Sequence, residues 1–134
     1  MTQFSHFSLQ QALYQHLCGD AALTALVTGI YDHVPQGTQY PFVTLGESAI
    51  RDWSNAEKQG TEQVITLRIW SREAGRKQAA TIMERITILL NSAALNVTGQ
   101  TLVSLRFISS NITLQDDGIT YKGSLVFRAL LREE

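Results

Sequence analysis

The period of hydrophobic residues changes twice along this chain, and that change limits the folds open to it. From Phe42 to Ile50 and from Thr61 to Ser71, alternation marks strands with one buried face. Val43 and Leu45 point one way, Phe42 and Thr44 the other; Ile65, Leu67 and Ile69 oppose Val64, Thr66, Arg68 and Trp70. Between Ala74 and Asn91 the period becomes helical, and Ala79, Ile82, Met83, Ile86, Leu89 and Leu90 form one stripe. Alternation returns in Leu102–Leu114, where Val103, Leu105 and Phe107 alternate with Ser104, Arg106 and Ile108. It returns again in Ile119–Leu131, where Tyr121, Leu125, Phe127 and Ala129 oppose Lys122, Ser124 and Arg128. Asp116-Asp117-Gly118 joins these two strands as a hairpin, because Asp-Gly readily takes the positive φ of a tight turn.

Two short helices precede the strands. Ser8 reads as the first N-cap, with Gln11 completing a capping box, Phe7 as a staple, and Leu9, Ala12, Leu13 and Leu17 on one stripe. Gly19 ends that helix, and Asp20 caps a second one carrying Ala21, Leu23, Leu26 and Val27 up to Gly29. Ile30–Val34 is a short extended piece, followed by turn residues Pro35, Gly37 and Pro41. Arg51–Gly60 is polar and reads as a long, mobile connection. The predicted order is α–α–β–β–α–β–β. It points to an α+β fold, a four-stranded mainly antiparallel sheet with helices packed on one face, in a single domain spanning 1–134.

Chemistry is scarce in this pattern. His6, His16 and His33 stand in no nucleophile motif, and there is no G-x-S-x-G segment, so no catalytic residue is assigned. Asp32-His33 and Asp116-Asp117 are the close pairs of metal-ligating types, too few for a metal site. Gly75-Arg76-Lys77 lacks the spacing of a phosphate loop, so no cofactor is expected. Arg76 and Lys77 start a helix against its dipole and need another reason to be there. Cys18, the single cysteine, reads as a small buried hydrophobe. Lys and Arg form no basic run, unlike the concentrated stripe of a sequence-independent nucleic-acid binder. The apolar stretches are too short to span a bilayer, and the N-terminus has no signal-peptide pattern.

Two features favour an interaction role. Trp53 lies in the Arg51–Gly60 connection, either as a partner anchor or folded back over the core. The second is the outer sheet face, with Val64, Thr66, Arg68, Trp70, Leu102, Ile108, Val126 and Leu130. It is too apolar for full solvation and favours an oligomer or a docked partner. The candidate interface residues are Arg51, Trp53, Asn55, Lys58, Arg68, Trp70, Arg72, Asp116 and Asp117.

A set of segments also carries a family resemblance. They are Ile30-Tyr31-Asp32-His33-Val34-Pro35-Gln36-Gly37, Tyr40-Pro41-Phe42-Val43-Thr44-Leu45-Gly46, Asp52-Trp53-Ser54, Ile69-Trp70-Ser71-Arg72 with Gly75-Arg76, and Leu102-Val103-Ser104-Leu105-Arg106-Phe107. Their order and spacing resemble the tail-completion (tail terminator, head-tail joining) family of phages, prophages and gene transfer agents, formerly a domain of unknown function. The likeness runs from about Leu9 to Arg128. It implies a structural protein, without catalytic residues, that forms a homohexameric ring on the head-proximal end of a tail tube. Such a ring ends tube polymerisation and presents a docking surface to the head stopper or connector, and DNA later passes through it. The implied partners are further copies of the chain, the tail tube protein and the stopper or connector, with no membrane. The implied place is the virion tail, and the host cytoplasm during assembly. On this reading the Arg51–Gly60 connection and the Asp116–Gly118 hairpin project toward neighbours, and deleting Asn55–Gln59 abolishes tail-to-head joining while sparing the fold. The alternatives are a head-closure or minor tail protein of the same machine, a small ligand-binding domain, and an adaptor that binds a host protein through Trp53.

Overall fold

A computed structural model describes residues 6–134. The elements are α1 (His6–Cys18), α2 (Ala21–Thr24), β1 (Ile30–Tyr31), β2 (Phe42–Asp52), β3 (Gly60–Ser71), α3 (Lys77–Leu90), β4 (Gln100–Leu114) and β5 (Tyr121–Glu133). The strands make one sheet in the order β1-β2-β3-β5-β4. Its pairings are antiparallel except that of β1 with β2, which is parallel. The α+β architecture and the helix-covered face are as expected. The sheet gains a fifth strand because Ile30 and Tyr31, within the expected extended piece, pair with Val43 and Thr44.

The helices pack on the face that carries the odd-numbered residues of β3 and β5. Leu9, Leu13 and Leu17 of α1, Leu23 of α2, and Ile82, Ile86 and Leu90 of α3 meet Leu67, Ile69, Leu105, Leu125 and Phe127. Each of these twelve side chains is at most 1% exposed, so this layer holds most of the hydrophobic stabilisation. Asp20 caps α2 by accepting from Leu23 N–H at 2.8 Å. Its carboxylate also accepts two hydrogen bonds from Arg85 of α3, at 2.9 and 2.7 Å, which tie the short helix to the long one.

Local detail departs from expectation in several places. α1 already includes His6, so Ser8 lies inside the helix rather than at its cap. No breaker between His6 and Ser8 stops the helix there. Phe7 is 63% exposed. Cys18 is exposed, because it follows buried Leu17 by one residue and so points off the apolar stripe. α2 ends at Thr24, which leaves Leu26 exposed while Val27 is buried. The Arg51–Gly60 connection is shorter than expected: β2 runs to Asp52 and β3 starts at Gly60.

Two bulges in β4 break its alternation. The pairing with β5 slips between Leu102 and Ser104 and again between Phe107 and Ser109. Each slip inserts one extra residue, Val103 and Ile108, and both are 49% exposed. The slips keep Leu102, Leu105, Phe107 and Ile112 opposite Leu131, Ala129, Phe127 and Gly123. Leu102 therefore packs against the core rather than on the outer face, and Ile108 belongs to neither row.

Candidate assembly interface

Among the described residues no helix covers the other sheet face, which is rich in charge rather than apolar. The register places Arg51, Arg68, Lys122, Arg128 and Arg132 on it, with Val64, Val126 and Leu130 between them. Glu62 sits among the arginines with only 16% of its side chain exposed. It accepts from Arg128 Nε at 2.5 Å and meets Arg51 Nε at 3.1 Å. Arg128's hydrogen bond, aided by Arg51's charge, holds its carboxyl below the usual range despite partial desolvation. Glu47, in the β2 bulge, pairs with Arg68, and that contact lowers its pKa too.

One corner of this face is aromatic. Phe42 is only 7% exposed although it points away from the helices, because Tyr31, Tyr40 and Trp70 surround it. Trp70 stacks on it at 6.4 Å between ring centroids and donates its indole N–H to Thr44 Oγ1 at 3.0 Å. Arg72 closes the corner. Its guanidinium lies 4.3 Å from the Tyr40 ring centroid, and its Nε donates to Thr120 Oγ1 at 3.0 Å. Asp117 completes the cluster by accepting from Ile119 N–H, Thr120 N–H and the Thr120 hydroxyl at 2.9, 2.9 and 2.6 Å. These bonds, the Thr120 hydroxyl first, hold its carboxyl down at about 2. Beside this corner, Arg76 lies 5.7 Å from the Tyr121 ring centroid, which accounts for a cation at the start of α3.

The opposite end of the sheet holds the β2–β3 turn. Asn55 Oδ1 accepts from Glu57 N–H and Lys58 N–H at 2.9 and 2.8 Å, so Asn55 shapes the turn. Gln59 joins the end of β5: its N–H donates to Glu133 Oε2 and its carbonyl accepts from Glu133 N–H, both at 3.0 Å. Trp53 is half-buried beside Gly60, with the Arg132 guanidinium 4.7 Å from its ring centroid. Trp53 thus folds back, but onto the helix-free face rather than over the core.

The nine candidate residues therefore fall into separate groups. Arg51, Arg68 and Trp70 share the helix-free face, Arg72 and Asp117 meet at its aromatic corner, and Trp53, Asn55 and Lys58 lie at the far end. Asp116 stands alone at the tip of the β4–β5 hairpin. Along β3, with 12 residues, the two turns are separated by roughly 40 Å. Sequence reasoning left Lys122, Arg128, Arg132, Glu62 and Tyr40 out of the candidate interface; alternation had set Lys122 and Arg128 on the outer face, and the pairing register brings Arg132 and Glu62 onto it with them. Among the described residues no group of three or more His, Cys, Asp or Glu could hold a metal ion. Among those residues no helix is long and apolar enough to cross a membrane. The larger hollows are open grooves, one of about 420 Å³ between α3 and β4 and one of about 440 Å³ between α1 and β1.

A family model described as tail completion protein gp17 matches residues 11–132, nearly the whole chain. The chain belongs to this family. It is a family of structural tail completion proteins, not of enzymes. A chain solved within the virion of a native gene transfer agent particle superposes with a TM-score of 0.90 at 29% identity, covering 98% of this chain and 99% of that one. The bacteriophage SPP1 gp17 protein shares the fold, with a TM-score of 0.66 at 20% identity over 96% of this chain and 94% of that one. No curated protein matches.

Proposed function

We propose that this chain caps the head-proximal end of a tail tube in a phage, prophage or gene transfer agent particle, as a homohexameric ring of single-domain subunits. The cap ends tube polymerisation and offers the surface on which the head docks. The observation that carries this reading is the family match, supported by near end-to-end agreement with a chain of a gene transfer agent virion. The arrangement of the subunit supports it further. A capping ring needs unlike contacts with the tube, with the head and with each neighbour. The two turns lie at opposite ends of the sheet, and the charged face lies between them. The partners on this reading are further copies of the chain, the tube protein and a head stopper or connector, with DNA only in passage. Its place is the virion tail, after assembly in the host cytoplasm.

The test is electron microscopy of particles made without the chain. Tubes of uncontrolled length and unjoined heads are expected, and the purified chain should restore both length and joining. Gold label on the chain should lie at the head-proximal tube end. Tubes of normal length with leaking heads would instead assign it to head closure, and label elsewhere on the tail would make it a minor tail protein.

A further inference from the structure

We infer that the helix-free sheet face receives the β4–β5 hairpin tip of a second copy of this chain, through Asp116 with Leu114 and Ile119. The inference deepens the ring reading and rests on it. Charge complementarity within the molecule carries it. Counting Arg106 at its rim and the Arg72–Asp117 pair at its corner, with Arg51, Arg68, Lys122, Arg128 and Arg132 the face holds seven cations against three carboxylates, Asp117, Glu47 and Glu62. The whole chain has 11 cations and 12 carboxylates, so the remainder holds four cations against nine carboxylates. A basic face and an acidic remainder attract each other between copies, not within one.

The basic face is also unfinished. Glu47 is taken by Arg68, and Glu62 is shared by Arg51 and Arg128. Lys122 and Arg132 have no carboxylate within ion-pair distance among the described residues. At the rim, Arg106 stands directly across from Arg128 on the neighbouring strand and turns to Ser92 Oγ at 2.9 Å. Like charges in that position are destabilising unless an anion offsets them. Val64, Val126 and Leu130 supply half-buried apolar surface among the cations.

The hairpin tip has the matching chemistry. Asp117 spends its carboxylate on the turn, whereas Asp116 makes no hydrogen bond or ion pair among the described residues. Leu114 and Ile119 beside it are 46% and 55% exposed. An unpaired acid flanked by apolar side chains on a held turn fits a cationic face with apolar gaps. Tip and face are different parts of the molecule, so their contact runs head-to-tail and can close into a ring. Nucleic acid fits less well, because Glu47 and Glu62 would stand against its phosphates.

Sedimentation of the full chain in 50 and 500 mM NaCl tests the contact. Wild type should associate in low salt and weaken by about tenfold or more in high salt. Asp116→Lys and Lys122→Glu should each weaken association to a similar degree with unchanged circular dichroism, and mixing the two variants should restore it. Single variants that associate like wild type, a mixture that stays dissociated, or a wild type monomeric at about millimolar concentration overturns the contact. So does binding of a short DNA duplex that Lys122→Glu abolishes without any change in self-association. The cap reading fails separately. Variants that still cap tubes sink only this contact, whereas a chain that associates as described yet never reaches tube ends sinks only the cap.

Discussion

Asp117 holds the β4–β5 turn by accepting three hydrogen bonds, two from backbone N–H groups and one from a hydroxyl. Its carboxyl sits at about 2, as does that of Asp20 under Arg85. A lowered pKa stabilises the fold at pH values above the unfolded value, about 3.9 for Asp, and the contribution is lost as pH falls toward 2. Thermal melting should therefore stay level from pH 7 to about 5 and then drop between about 4 and 2. Asp117→Asn should make that drop shallower. Gly60 works through space rather than charge. A Cβ there would stand 2.7 Å from the Trp53 carbonyl oxygen and 2.9 Å from that of Leu131, both backbone atoms that cannot rotate aside. Gly60→Ala should cost about 1–3 kcal/mol in urea unfolding. It should also loosen Trp53, as a red shift of its fluorescence would report.

At the scale of elements, the bulges of β4 matter most. Deleting Ile108, the unpaired residue of the second bulge, would leave Ser109–Leu114 opposite the same partners and Ile112 still on the core side, because Phe107 and Ser109 already face consecutive residues of β5. The deletion should therefore cost clearly less than truncating Phe127 to Ala, at about 3–5 kcal/mol, and denaturant midpoints would compare the two. The strands and α3 were legible from their periods, since each buries one face against one layer. The bulges were not, because an extra residue leaves no mark in composition. Val103 and Ile108 look like any other β-branched strand residues until the partner strand reveals two unpaired positions.

The whole molecule presents two turns at opposite ends of one sheet and a charged face between them. The β2–β3 turn is tied to β5 through Gln59 and Glu133, so deleting Asn55–Gln59 would remove a structural link along with any docking surface. Lys58→Glu is the cleaner variant, since Lys58 is exposed at the turn and bonds there only through its backbone. Its stability should stay within about 0.5 kcal/mol of wild type, while tail-to-head joining, scored by electron microscopy, should fail if that turn docks a partner. Of the candidate site, the sequence offered residues but not groupings. Arg72 and Asp117 are distant in the chain and meet because Ser71 at the end of β3 pairs with Tyr121 at the start of β5, just past the hairpin. Trp53 stands over the helix-free face because Arg132 lies across from Gly60.

The chain's own pattern determined the element types, the face each strand buries and the position of the long helix, because burial against a single layer writes its period directly into local sequence. Capping at Asp20 and the turn at Gly118 were equally local, a side-chain hydrogen bond and a φ of +74°. The tertiary structure alone decided what the outer face is. Its arginines and glutamates are scattered along the chain and become one surface only when β2, β3 and β5 align in register. A linear reading found no basic run because the basic surface is assembled across strands, with β2 and β3 contributing one cation each and β5 three that are spaced along it. Electrostatic patches depend on distances in space, which chain order does not encode.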